Sequence, residues 1–178
     1  LAGKGGLSAD IARERQILSH VRRRATTIID TTHTTTKELR AKIISLYGRD
    51  GSLPAMSIAV QSFGFKHGTP LDCDMMFDVR FLPNPFYVPE LKEKNGNDAD
   101  VVAYIEQSPV TQTFLRKLYD LIEFLLPEYT KEGKSQLMIG VGCTGGHHRS
   151  VFVANALGRF IESCGYQAQV IHRDLLKK

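Results

Sequence analysis

The sequence predicts an α/β fold, a mixed, mainly parallel sheet covered by helices, preceded by a helix-strand-helix segment at the N-terminus. Three observations carry it. Short runs rich in apolar and β-branched residues alternate with longer stretches of helical periodicity. The order strand, glycine-rich turn, helix, strand over 137–171 is a βαβ unit, whose crossover makes its two strands parallel. The stretch 48–52, Gly-Arg-Asp-Gly-Ser, reads as a linker and divides the chain into segments 1–50 and 55–178.

Taken in order, 8–24 has helical spacing, with Ser8 as a candidate N-cap and Ile11, Ile17, Leu18 and Val21 as a loose apolar stripe. The β-branched run 26–30 is a strand candidate, and 35–47 returns to helix through Leu39, Ile43, Ile44 and Tyr47. Beyond the linker, 56–63 and 75–79 are strand candidates. Pro83 and Pro85 then forbid helix, so the chain should run as an extended, irregular loop to about Asn97, long enough to be a binding element. Phe114, Leu118, Leu121, Ile122 and Leu125 give 110–129 an amphipathic face, expected to pack in the core. Strand 137–141, helix 151–163, stopped by Gly165, and strand 167–171 complete the set.

Composition narrows the function classes. At 178 residues the chain can bury a core, and 42% hydrophobic with 24% charged residues is ordinary for a globular protein. No apolar run approaches the roughly 20 residues of a membrane helix, so a cytoplasmic protein without membrane partners is expected. Three cysteines without C-x-x-C spacing read as reduced thiols. A net charge of +4 and a pI near 9.0 favour anionic partners. The chain starts at Leu1 with a helix that has no evident strand partner, which is expected of a piece of a longer protein.

The most informative stretch is Cys143-Thr144-Gly145-Gly146-His147-His148-Arg149-Ser150, between a strand and a helix. Loop amides and the helix dipole converge there on an anion, and Arg149 can add a bidentate contact. One of His147 and His148 can face that anion. Cys143 and Arg149 also have the C-x5-R-S spacing of cysteine-dependent phosphatases, with a thiolate at a helix start and Asp72, Asp74 or Asp78 available as general acid. Gly142 stands where those enzymes usually carry histidine. Without catalysis, the loop is a phosphate-binding nest.

Asp78 and Arg80, where a strand ends, are either ligand-facing or a local ion pair that pins the proline loop. Lys66 and His67 suit a phosphate or an RNA backbone, or a solvated surface. No histidine and cysteine spacing points to a structural metal. Gly3-Lys4-Gly5-Gly6-Leu7-Ser8 lacks the spacing of a nucleotide-hydrolysing loop, so this chain by itself should hydrolyse neither ATP nor GTP.

Phe63-Gly64-Phe65-Lys66-His67-Gly68, Phe77-Asp78-Val79-Arg80-Phe81-Leu82-Pro83-Asn84-Pro85, the Gly142 to Val151 loop and the closing Ile171-His172-Arg173-Asp174-Leu175 together resemble the RNase adapter family, the RapZ and YvcJ-like nucleotide-binding proteins of bacteria. The resemblance implies that residues 1–50 are the tail of a P-loop kinase-like domain, with ATP or GTP bound upstream, and that 55–178 are the C-terminal domain. It implies a homo-oligomer whose C-terminal domain binds a phosphorylated small molecule and, in the enterobacterial branch, binds glucosamine-6-phosphate as well as a small RNA that it presents to a ribonuclease. By position it makes Cys143, Thr144, Gly145, His148 and Arg149 the sugar-phosphate pocket; Gly146, Ser150, Asp78, Arg80 and Asn84 are counted with that ligand set. Lys66, His67, Arg173, Lys177 and Lys178 become the RNA-facing set. Phe86 stands where the enterobacterial branch has a histidine after its Asn-Pro.

Overall fold

The computed structural model describes residues 6–47 and 56–177. The chain divides into two compact units between Leu53 and Pro54. The expected linker at 48–52 lies outside the described residues, as do Gly3, Lys4, Gly5 and Lys178.

The first unit carries α1 (Leu7–Arg24) and α2 (Thr36–Tyr47). Helix α1 is capped by Gly6, at φ 80°, and Ser8 lies inside the helix. Its apolar stripe faces outward: Ile11, Ile17, Leu18 and Val21 are all exposed. The strand expected at 26–30 does not form. Asp30 accepts the Thr32 amide (2.9 Å) and the Thr32 hydroxyl, and the Thr34 hydroxyl bonds the Asp30 carbonyl (3.2 Å). Such local bonds compete with a ladder, so high β-propensity here is spent on a turn. Thr35 and Glu38 then form a reciprocal capping box that starts α2.

The second unit holds β1 (Ser57–Gly64), β2 (Met75–Asp78), α3 (Ala99–Glu106), α4 (Pro109–Glu132), β3 (Gln136–Cys143), α5 (Arg149–Ser163) and β4 (Ala168–His172). The four strands run in the order β2-β3-β1-β4 and every pairing is parallel. Ile58, Val60, Ile139 and Val141 point into a core closed by α3, α4 and α5, through Val101, Ile105, Leu118, Ile122, Leu126, Phe152, Leu157 and Ile161. Because all strands share one direction, their carboxyl ends share one edge: the register sets Gly64 beside Cys143, Asp78 beside Gly142 and His172 beside Ser62.

Two details depart from the sequence pattern. Helix α3 has no counterpart in that pattern; two turns with only Val101 and Ile105 buried leave too little periodicity to read. On α4 the buried row is Thr111, Leu115, Leu118, Ile122 and Leu126, whereas Leu121 is exposed. The doublets Leu121-Ile122 and Leu125-Leu126 satisfy either face, and packing makes the choice. Helix α4 runs three residues past the expected 129, and Gly133, in the left-handed conformation at φ 86°, ends it. No helix among the described residues is long and apolar enough to cross a membrane.

Candidate functional site

At the carboxyl edge of the sheet, the loop from β3 to α5 lies against the end of β1. The Lys66 amide donates to the Thr144 carbonyl (3.1 Å). Gly64 and Gly146 meet backbone to backbone: a Cβ on Gly64 would stand 2.6 Å from the Gly145 carbonyl carbon, and one on Gly146, at φ 82°, would stand 2.8 Å from the Gly64 nitrogen. Only glycine fits either position. Gly142 is equally constrained, since a side chain there would enter the Phe63 and Phe65 rings. The histidine that cysteine-dependent phosphatases place there has no room.

Asp174 locks this crossing from below. Its carboxylate is fully buried, accepts the Gly64 amide (2.8 Å), and pairs with Arg173 (2.6 Å) and Lys177 (2.7 Å). Burial pushes its pKa up, but the Arg173, Gly64 and Lys177 hydrogen bonds outweigh that and hold it well below the ordinary carboxylate range. In the sequence Asp174 is only one member of a motif; a buried acid between two cations is invisible without the fold.

Cys143 is buried, its Sγ accepts the Gly146 amide (3.3 Å), and it lies 3.1 Å from the Ser150 hydroxyl. Helix α5 then begins at Arg149 with no side-chain cap, leaving its first amides without intrahelical acceptors. Arg149 is 5% exposed. One guanidinium nitrogen donates to the carbonyls of Arg80 and Leu82, the other reaches the Thr144 hydroxyl (3.4 Å), and Nε has no partner among the described residues. Arg149 therefore ties the proline loop to the cradle as well as facing it. His148 is buried, and its Nε2 has no partner among the described residues. Burial lowers its pKa, against the opposing pull of the Lys94, Lys92 and Leu91 carbonyls.

These groups open into one cavity of about 710 Å³. Of the ligand set read from sequence, Cys143, Thr144, Gly145, His148, Arg149 and Asn84 line it, together with Lys66 and Lys177 from the RNA-facing set. Gly146 and Ser150 sit behind the wall, both buried, as supports of the loop. Asp78 and Arg80 pair with each other through three side-chain bonds, and Arg80 rests 4.3 Å over the Phe65 ring, which is the local-pair arrangement. Arg173 is committed to Asp174 and to the Gly64 and Gly68 carbonyls. His67 lies outside the lining, with its Nε2 buried. Asn84 also shapes the backbone, since its side chain accepts the Phe86 amide (3.4 Å) and caps the turn Pro85–Tyr87.

The sequence assigned no site role to Lys92, Glu93, Lys94, Tyr87, Leu175 and Leu176, which line the cavity as well. They come from the irregular loop and the C-terminal turn, where no periodicity marks a facing residue. The balance is cationic: Lys66, Lys92, Lys94, Arg149 and Lys177 against Glu93. Lys94 pairs with Asp100 and Lys177 with Asp174; Lys66 and Lys92 form no ion pair among the described residues. Neither Asp72, Asp74 nor Asp78 lines the cavity, Asp74 being engaged by Lys134 and the Met138 amide.

Comparison with known proteins follows the same residues. The sequence profile of the RapZ C-terminal domain matches residues 56–176. Over 98% of this chain, a nucleotide-binding protein of Caldicellulosiruptor bescii is 49% identical and one of Symbiobacterium thermophilum is 51% identical. A nucleotide-binding protein of Heliobacterium modesticaldum is 47% identical over 99% of it. The chain spans 58% to 60% of the length of these curated relatives.

Proposed function

This chain belongs to the family of the RapZ C-terminal domain, and from that premise we propose that its second unit is a regulatory binding domain that holds a phosphorylated metabolite in the cavity at the strand ends. In this reading the whole protein binds ATP or GTP through a part that precedes the present chain, in keeping with the name its relatives carry. One observation supports the reading above the rest. Thr144, Gly145, His148, Arg149 and Lys66 face a single cavity at the uncapped start of α5, so hydrogen-bond donors and cations surround a place where an anion gains the helix dipole as well.

The arrangement suits binding more than turnover. Among the described residues the only carboxylate on the cavity wall is Glu93, and the Arg149 fork is partly occupied by backbone carbonyls. RNA contact would rest first on Lys66 among the described cations of that set, because Arg173 and Lys177 both pair with Asp174. A partner ribonuclease and a homo-oligomer belong to the same proposal.

Calorimetric titration with inorganic phosphate, glucosamine-6-phosphate and other sugar phosphates tests the reading. Binding of at least one is expected, weakened about tenfold or more in Lys66→Ala, in line with roughly 1.5–3 kcal/mol for a charge-assisted bond. Lys66 is the better probe than Arg149, whose removal would also free the proline loop. No binding by any phosphate species would end the proposal, and turnover of an aryl phosphate that vanishes in Cys143→Ser would replace it with the phosphatase reading.

A further inference from the structure

The cavity has a second wall that a phosphate does not use. Phe86 and Tyr87, on the turn capped by Asn84, are 51% and 81% exposed and lie edge to face at 5.8 Å. Leu175 and Leu176 line the same cavity from the C-terminal turn, Leu176 at 94% exposure. Lys92 stands over the Phe86 ring, 5.0 Å from its centroid. Large apolar side chains left in water inside a concave site mark where a ligand's own apolar surface goes. A phenylalanine offers no hydrogen bond to a sugar hydroxyl; what it offers is a ring face.

The two walls are mechanically joined. Arg149 faces the anion cradle and donates to the Arg80 and Leu82 carbonyls, which lead directly into the turn that displays Phe86. A ligand spanning both walls needs an anionic group at one end and a flat, polarisable ring at the other. We infer that the cavity takes a nucleoside phosphate, with the phosphate at Lys66, Thr144, Gly145 and Arg149 and the base stacked on one of the two rings, Phe86 or Tyr87, and edged by the other. The cavity, about 710 Å³, is within the size range of small-molecule sites and has room for more than a sugar phosphate. Lys92 adds a cation beside the stack, favourable to the carbonyl-bearing edge of a base. The inference rests on the reading of the cradle as a phosphate site, and it deepens that reading by naming the ligand class.

The test is calorimetric titration of the full 178-residue chain with adenosine, guanosine, cytidine and uridine 5′-monophosphates, ribose 5-phosphate and inorganic phosphate. At least one nucleotide is expected to bind tighter than ribose 5-phosphate by roughly 5- to 150-fold, the equivalent of one stacked base. In Phe86→Ala that ratio should fall toward one; Phe86 is half exposed, so the variant should fold, which circular dichroism checks. A ratio near one in the unaltered chain, or a ratio that survives both Phe86→Ala and Tyr87→Ala, overturns the inference. If phosphate and ribose 5-phosphate bind without any nucleotide advantage, only this inference fails; if no phosphate species binds, the cradle reading fails with it. A 5′-phosphorylated trinucleotide separates the sources: tighter binding than the mononucleotide assigns the site to the end of a nucleic-acid chain, and equal or weaker binding assigns it to a free nucleotide, both upholding the class.

Discussion

Single residues set the site by where they cannot be replaced. Gly146 combines a left-handed φ of 82° with a Cβ position 2.8 Å from the Gly64 nitrogen and 3.0 Å from the Asp174 Cβ. Gly146→Ala is therefore expected to cost about 1–3 kcal/mol of stability from backbone strain, and to weaken phosphate binding in parallel, as urea unfolding and titration of the same variant would show. One buried and one half-buried histidine give a pH signature. Burial holds His148 and His172 below the ordinary 6.5, His172 with its Nδ1 2.9 Å from the Ser62 hydroxyl. Below 6.5 the unfolded chain takes up protons at these positions that the fold does not, so stability falls as pH drops from about 7.5 toward about 5.5. The urea midpoint should move accordingly, and the change should be smaller in His148→Gln; an unchanged slope in that variant would assign the effect elsewhere. Asp174 works in the opposite range: its lowered pKa stabilises the fold above the ordinary carboxylate value, and that contribution is lost as pH falls further.

Elements carry a second kind of information, namely which face of a helix is inside. On α4 the residues Leu121 and Ile122 are neighbours of similar size, one at 43% exposure and the other fully buried. Ile122→Ala should destabilise the second unit by about 2–5 kcal/mol, whereas Leu121→Ala should stay within about 0.5 kcal/mol, compared by chemical denaturation. Equal losses would mean that Leu121 is covered by something outside the described residues. The strand, turn and helix order that flags the cradle works at this scale too. Strand β3 delivers Cys143 to the carboxyl edge, α5 presents uncapped amides, and the turn between them is held by Gly64 and Lys66 from β1 and the turn after it. That is why the glycine-rich loop is legible as a motif: its residues are contiguous in sequence.

At the scale of the whole molecule, a ligand that binds only the folded state must raise the unfolding temperature. At 100 times its dissociation constant, a ligand bound in the cavity as proposed would add about 2.7 kcal/mol. A thermal melt should shift upward with such a ligand, less so at high salt because Lys66 and Lys92 lie where solvent ions screen them. No shift at saturating concentrations would contradict the site.

The sequence by itself determined the α/β class, the parallel crossover, the glycine-rich turn between a strand and a helix and membership of the family, because alternation of strand and helix, glycine spacing and short motifs are all local records. It misjudged the run 26–30, where Asp30 draws Thr32 and Thr34 into a turn, and it did not show α3. What only the tertiary structure decided is the far wall of the cavity and the role of its supports. Phe86, Lys92 and Leu176 come from segments with no period to read, and Asp174 and Arg173 change from members of a tail into a buried clasp only when β4 pairs with β1. Convergence of residues 110 positions apart, as between Gly64 and Asp174, is a property of the sheet order, which no local pattern encodes.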